Sequence, residues 1–328
     1  MLEFIKEMVI KTGQINHMND LNIIMYHYVR EIANSQFPNI KGLEISGFIR
    51  QLDWLNKNFT IISPQHLIHS VINKETLPEK SCLLTFDDGY KDHFKFVLPE
   101  LKKRGLYGAF FPPAKPILKK EILDVNAIHF ILEASNDLDA LIAELTLNLK
   151  KNSYSDLVIS NLFKRLAKPN RFDDARVIFF KRILQREASQ EIRTNIIETL
   201  FKKFVGESSS AFCSELYMNE SEIKELIKEG MYVGSHTYNH MWLGSLSREM
   251  QNEEIEKSID FLSNIGAPIQ NWIMCYPYGD YNLETLSILK EKNCVIGVTT
   301  VPKVARINNG QNLTLGRFDT NDFPKKPS

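Results

Sequence analysis

Short apolar runs, too brief for buried helices, recur along this chain and alternate with amphipathic stretches that stop at glycine. The runs fall at 22–26, 59–62, 82–86, 108–111, 232–234, 272–276, 295–298 and 313–317. Apolar runs of that length, bounded by polar or turn residues, read as strands buried on both faces. Helical patterns lie between them at 48–58, 94–104, 220–229, 247–265 and 283–292, and Gly105, Gly230 and Gly266 end three of these. A helix closed by glycine and followed at once by a strand is the punctuation of α/β units. The chain therefore reads as α/β with a mostly parallel sheet, open or closed into a barrel. Residues 115–215 break the rhythm: they carry helical spacing, are rich in Leu, Ile, Lys, Asn and Ser, and give almost no strand signal. The chain thus divides into 1–114 and 216–328, two parts of one α/β body, with a helical insertion at 115–215. The insertion has the size of a lid, a substrate-binding subdomain or an oligomerisation surface.

Charge and cysteine usage exclude several classes. Forty basic and forty acidic side chains cancel, which argues against a broad polyanion-binding surface and hence against nucleic acid as a partner. The four cysteines at 82, 213, 275 and 294 form no C-x-x-C pair. They read as buried free thiols in a reducing compartment. Glu3, Lys6 and Glu7 interrupt the N-terminal apolar residues, so Met1 onward does not read as a secretory signal. No stretch offers ~18 uninterrupted apolar residues, so no membrane span is expected. The location expected on these grounds is cytoplasmic.

In parallel α/β folds the chemistry gathers at the carboxyl ends of the strands. The first run ends on His27, the third on Asp87 and Asp88, and the fourth on Phe111-Pro112-Pro113. The fifth leads into Ser235 and His236, with His240 close behind. The sixth ends on Tyr276-Pro277-Tyr278-Gly279 and the last on Arg317-Phe318-Asp319. Asp-Asp-Gly alone is a turn signal, and His-x-x-x-His alone often lies on a surface. Together, each after a buried strand, they bring carboxylates and imidazoles to one rim. Adjacent carboxylates on an extended backbone point in different directions, so one can bind a metal while the other faces a reacting water. Two histidines and one carboxylate are a common set for catalytic zinc, whose bound water loses a proton near neutrality. His17, His66, His69, His93 and His129 lack such a context and read as surface or structural.

Thr85-Phe86-Asp87-Asp88-Gly89, His236-Thr237-Tyr238-Asn239-His240 and Tyr276-Pro277-Tyr278-Gly279 resemble, in order, the first three motifs of the polysaccharide deacetylase family (carbohydrate esterase family 4, the NodB-homology domain). The resemblance covers about 20–114 and 216–322, and 115–215 has no counterpart in the family's minimal core. It implies a distorted (β/α) barrel of seven or eight mostly parallel strands. It also implies that Asp87 is the base, that Asp88, His236 and His240 hold a divalent metal (zinc, or else cobalt or nickel), that Thr237 braces the histidine loop, and that the Tyr278 amide helps hold an oxyanion. Tyr276, Pro277, Phe111 and Trp242 are the expected substrate-binding residues.

Two positions depart from the family pattern. Its third motif usually begins with an arginine that orients the base, and here that position is Cys275. Its fifth motif usually supplies a histidine acid after an apolar strand, and here Arg317 follows instead. Arg317 cannot give up a proton near neutral pH; it can orient Asp87 or bind a substrate carboxylate or phosphate. His27 is the expected proton donor, with a packing role or proton return by Asp87 as alternatives. The implied activity is metal-dependent removal of an acetyl group, N-acetyl before O-acetyl, from a carbohydrate such as an intracellular sugar precursor of a surface glycan. The alternatives are a catalytically silent glycan- or partner-binding relative and an amide hydrolase for a non-sugar substrate.

Overall fold

The computed structural model describes residues 19–170 and 173–324. The readings made on Met1–Glu7, His17 and the polar tail from Lys325 lie outside the described residues. The chain divides into two compact units, one made of the residues up to Glu31, Gly42–Lys119 and Leu216 onward, the other of Ile32–Lys41 and Lys120–Glu215.

The first unit is a distorted barrel. Strand β1 (Asp20–Tyr26) is followed by the short parallel pair β2 (Val29–Arg30) and β3 (Leu43–Glu44), then β4 (Thr60–Ile61) and β5 (Ser81–Asp87). After them come β6 (Ala109–Phe111), β7 (Tyr232–Val233), β8 (Trp272–Cys275), β9 (Cys294–Val298), β10 (Ala305–Arg306) and β11 (Phe318–Asp319). β5 is buried at every residue, as a parallel strand covered on both faces must be. It pairs in parallel with β1 from Leu21↔Ser81 to Tyr26↔Phe86. Its other edge is shared, β4 pairing at Ser81 and Cys82 and β6 from Thr85 onward. β7 pairs in parallel with β6.

Two single residues carry the sheet onward. Ser235 bridges to Met274, its N–H donating to Ile273 O and its carbonyl accepting from Cys275 N. β8 and β9 pair in parallel. Leu315 then bridges to Val298, donating to Gly297 O and accepting from Thr299 N. β11 returns to β1 through Ile24↔Phe318, which closes the ring. The run expected as a strand at 313–317 is therefore a helical turn at Asn312–Thr314 followed by one bridging residue. A side chain at Gly316 would place a Cβ 2.6 Å from Val301 O, and Arg317 N donates to that same carbonyl, so the backbone turns away from a ladder there.

Side chains alternate along each strand, and this parity sorts the core. Leu21, Ile23, Leu83, Phe111, Tyr232, Ile273, Cys275 and Leu315 share one buried cluster inside the ring. Trp272, Met274 and Tyr276 point the other way and pack with Ile255, Ile288 and Leu289 of the surrounding helices. The helix expected at 94–104 begins instead as a π-helical turn, His93–Val97, and continues as Leu98–Lys103. Pro99 sits at this junction and has no N–H to continue an α-helical ladder.

The second unit consists, among the described residues, of helices Asp124–Ala134, Leu138–Lys151, Asp156–Leu166, Ala175–Arg182 and Gln190–Phe204, with most of Ser209–Leu216. Phe37, Phe130, Phe201 and Phe212 meet edge to face at its centre, and Phe37 ties the 32–41 segment into this unit. No described helix is long and apolar enough to cross a membrane.

Asp173 links the same segment to a helix, with Lys41 Nζ at 2.6 Å and Lys181 Nζ at 2.7 Å. Burial raises the pKa of this carboxyl, but the two ammonium groups overcome that and hold it below the usual value. A depressed folded-state pKa stabilises above the unfolded value and loses that stabilisation as pH falls through the folded one. Asp173→Asn is expected to destabilise by about 1 to 3 kcal/mol at neutral pH, with the gap to wild type narrowing below about pH 4. Denaturant melts of both proteins across pH check this.

Candidate active site

The barrel's inward columns determine what crowns its carboxyl end. Counting by two, Leu83 leads to Thr85 and Asp87, Ile273 to Cys275, Tyr232 to His236, Leu315 to Arg317, and Ile23 to His27. Asp87, His236, Cys275 and Arg317 are each at most 2% exposed. Asp87, His236 and Cys275 bring their polar atoms within 4.8 Å of one another.

Arg317 lies under Asp87. Its Nη1 donates to Asp87 Oδ1 at 2.8 Å and its Nη2 to Oδ2 at 2.7 Å. Nη1 also donates to Thr85 Oγ1, and Nε donates to Thr299 O. A buried guanidinium needs such partners for its five donors, and a two-pronged bond fixes the carboxylate plane as well as its charge. Burial of Asp87 raises its pKa, but Arg317, aided by His27 and His236, brings it down to about 2. His27 Nε2 is 3.8 Å from Asp87 Oδ2 on the open side, and its ring is partly exposed. His93, fully buried among Phe86, Tyr90 and Phe110, donates from Nε2 to His27 O.

Asp88 breaks the strand. Its φ is +69° and that of Gly89 is +67°. A Cβ on Gly89 would lie 2.7 Å from Pro112 Cβ, so both the conformation and the close approach require glycine there. The turn swings the Asp88 carboxylate towards the histidine loop. Tyr90 Oη donates to Asp88 Oδ2 at 2.6 Å, and the Tyr90 ring is stacked between Tyr28 and Tyr217. Asp88 Oδ1 is buried and accepts no hydrogen bond. His236 Nε2 and His240 Nε2 face it, each at 3.4 Å.

This arrangement tests whether a divalent cation fits. Tetrahedral zinc, with nitrogen and oxygen ligands at its usual bond lengths, sets neighbouring ligands about 3.4 Å apart, which is the spacing found. His236 Nδ1 donates to Cys275 O at 2.7 Å, leaving the Nε2 lone pair to face Asp88, as a ligating imidazole requires. Burial works against a charged His236, but Cys275, Asp88 and Asp87 raise its pKa well above normal. Burial and the neighbouring His236 press that of His240 down to about 3. The donor set fits the metal that the sequence implied.

The loop that carries the histidines is strained. Thr237 and His240 both have positive φ, +62° and +58°, and His240 N donates to Thr237 Oγ1. Tyr278, at φ +58°, completes a cluster of left-handed non-glycine residues around one site. Such backbone strain gathers where function holds it in place. The Tyr278 ring stacks on Trp242 at 4.2 Å and meets His240 edge to face. These two half-buried rings form a platform beside the donor set.

Three of the expected substrate contacts are buried. Phe111 is fully buried inside the barrel, and Tyr276, of opposite parity to Cys275, points into the helix layer with Oη donating to Leu313 O. Neither has a face to offer a ligand. Pro277 is also buried, and its carbonyl accepts from Asp280 N within the turn that presents Tyr278. Sequence reading missed Tyr90, which follows Asp88 by two residues, and His93, which was read as structural without its tie to His27.

A family model described as polysaccharide deacetylase matches residues 183–296, a span that holds the second and third motifs. The Bacillus subtilis (strain 168) protein YxkH, named for the same family, is 21% identical over 291 residues, covering 88% of this chain and 68% of its own. Among solved structures, the Streptococcus pyogenes deacetylase PplD in complex with acetate matches with TM-score 0.54 and 20% identity, covering 92% of this chain and 93% of its own. IcaB from Ammonifex degensii matches with TM-score 0.53 and 18% identity over 91% of both chains. The BpsB deacetylase domain from Bordetella bronchiseptica matches with TM-score 0.55 and 16% identity, covering 93% of this chain and 97% of its own. With its three motifs in order on a distorted (β/α) barrel, the chain is similar to proteins of the polysaccharide deacetylase family.

Proposed function

We propose that this protein is a metal-dependent deacetylase that removes N-acetyl groups from a carbohydrate. The observation that carries the reading is the unpartnered Asp88 Oδ1 facing two imidazole nitrogens, beside a carboxylate held by an arginine fork. Asp88, His236 and His240 would hold a divalent cation, zinc by its preference for this donor set. Such an ion supplies an acidified water and polarises an acetyl carbonyl.

The protein's own residues do the rest. Asp87 takes the water's proton. The Arg317 fork keeps this buried carboxylate ionised and so free to accept it. Arg317 keeps its plane fixed and its charge in place. The Tyr278 amide is the candidate donor to the carbonyl oxygen as it gains charge. An amide nitrogen leaves only once protonated, and His27, on the open side of Asp87, is placed to give that proton. Trp242 and Tyr278 offer stacked aromatic faces to a sugar ring.

The name of PplD as a deacetylase solved with acetate supports acetate as product. The silent-relative alternative is weakened because no base or metal-ligand position has been lost.

Acetate release from N-acetylated oligosaccharides, measured together with bound metal, tests this reading. Asp87→Asn is expected to keep the metal and lose about 10²- to 10⁴-fold in kcat, whereas Asp88→Asn loses the metal itself. Metal-free wild type with no acetate release from any acetylated sugar removes the proposal.

His27 calls for a separate comparison. His27→Ala should slow amide hydrolysis about 10²-fold or more yet hardly affect 4-nitrophenyl acetate, whose leaving group needs no proton. Equal loss on both substrates removes His27 as the donor. Arg317→Lys keeps the charge but not the fork. It is expected to lower kcat about 10- to 100-fold with KM nearly unchanged.

A further inference from the structure

The strained loop Ser235 to His240 has to be held, and one helix does it. In helix Arg248–Asn264, Glu254, Lys257 and Ser258 stand at i, i+3 and i+4, a spacing that puts three side chains on one face. Each meets a different residue of the loop. Ser258 Oγ is 2.8 Å from Ser235 Oγ, which in turn accepts from Thr237 N. Lys257 Nζ sits over the Tyr238 ring at 5.3 Å. Glu254 accepts from Asn239 N at 2.8 Å and from Asn239 Nδ2. Glu254 is only 5% exposed and Ser258 not at all. Ile255, Phe261 and Leu262 fix the same helix in the core.

Glu254 is the informative member. A buried carboxylate is normally paired with a cation, yet both oxygens of this one are taken up by the neutral N–H groups of one residue, the one before His240. Its arrangement makes sense if the loop's shape matters more than the local cost of that charge. The loop's shape sets the separation between the two imidazole nitrogens and Asp88 Oδ1.

We infer that Glu254, seconded by Ser258, is a positioning residue for the metal site, acting through Asn239 to hold His240 at ligand distance. The inference rests on the metal reading above and goes beyond it, because it assigns metal affinity to a side chain that touches no ligand atom. Residues that orient metal ligands typically cost 10- to 100-fold in affinity when replaced. A glutamine at 254 keeps one acceptor oxygen and loses the other, so it should fall between.

The test is zinc affinity, measured by competition with a chromophoric chelator, alongside the melting temperature of the zinc-free proteins. Glu254→Ala is expected to bind zinc about 10- to 100-fold more weakly, and Glu254→Gln to lie between it and wild type. Asn239→Ala combined with Glu254→Ala should be no weaker than Glu254→Ala alone, since the loss of Glu254 already removes the side-chain contact that Asn239→Ala would remove. Glu256→Ala, on the exposed side of the same helix with Lys292 as its partner, serves as the control and should bind as wild type. A folded Glu254→Ala with wild-type affinity overturns the inference and leaves the metal reading intact. Wild-type protein that takes up no zinc overturns both. If Glu254→Ala does not fold, Ser258→Ala and Asn239→Ala decide: weakened binding in both supports the inference, and wild-type affinity in both ends it.

Discussion

The barrel closes through two single-residue joints, and the site depends on them. Ser235 exchanges backbone hydrogen bonds with β8, and Leu315 does the same with β9. His236 follows the first joint directly and Arg317 comes two residues after the second. A ladder of many residues would carry these side chains along a regular strand. A one-residue joint lets the chain leave the wall at once, and at Thr237, with its positive φ, it does so. The imidazole and the guanidinium therefore reach the barrel's mouth from walls that are pinned only one or two residues below them.

That geometry concentrates charge where water is scarce. Two adjacent carboxylates, both nearly unexposed, would repel and would each prefer to be neutral. The structure settles them differently. Asp87 has its cation built in as Arg317. Asp88 has one oxygen satisfied by Tyr90 and the other left facing imidazoles. The same dipeptide thus yields one carboxylate gripped by a guanidinium and one whose second oxygen faces two imidazoles. On the proposed reading a divalent ion completes the second, since a buried anion needs either a partner or a proton.

Some of this was legible in the sequence for physical reasons. A fully buried parallel strand such as β5 is apolar throughout, and its end is marked by the abrupt arrival of Asp87 and Asp88. The histidine loop was marked by its spacing only in company with Asp87 and Asp88 and with a buried run before each. Other features left no trace. An apolar residue at a strand end looks the same whether it faces the mouth, the barrel interior or the helices, so Phe111 and Tyr276 passed as ligand contacts until parity placed them. Glu254 stands among Glu249, Glu253 and Glu256, and nothing in composition separates the one that meets Asn239 from those that meet solvent. The run at 313–317 has the apolar character of a strand, but a ladder also requires a partner, and only Leu315 finds one.

The two departures from the family's pattern are best understood together. Cys275 stands where an arginine is usual, and no histidine follows the strand position near Leu315. Yet a guanidinium grips Asp87 from that second position, and an imidazole faces Asp87 from the end of β1, which lies next to β11 in the ring. A barrel mouth permits such exchanges, because side chains from every wall converge on the same few ångströms. What the proposed chemistry requires is a fixed positive charge on one side of Asp87 and a proton carrier on the other. Which strand supplies each is a matter of packing. Cys275, small and apolar enough to sit buried beside Asp87 and His236, leaves room for the guanidinium of Arg317, which enters from the far side of β9.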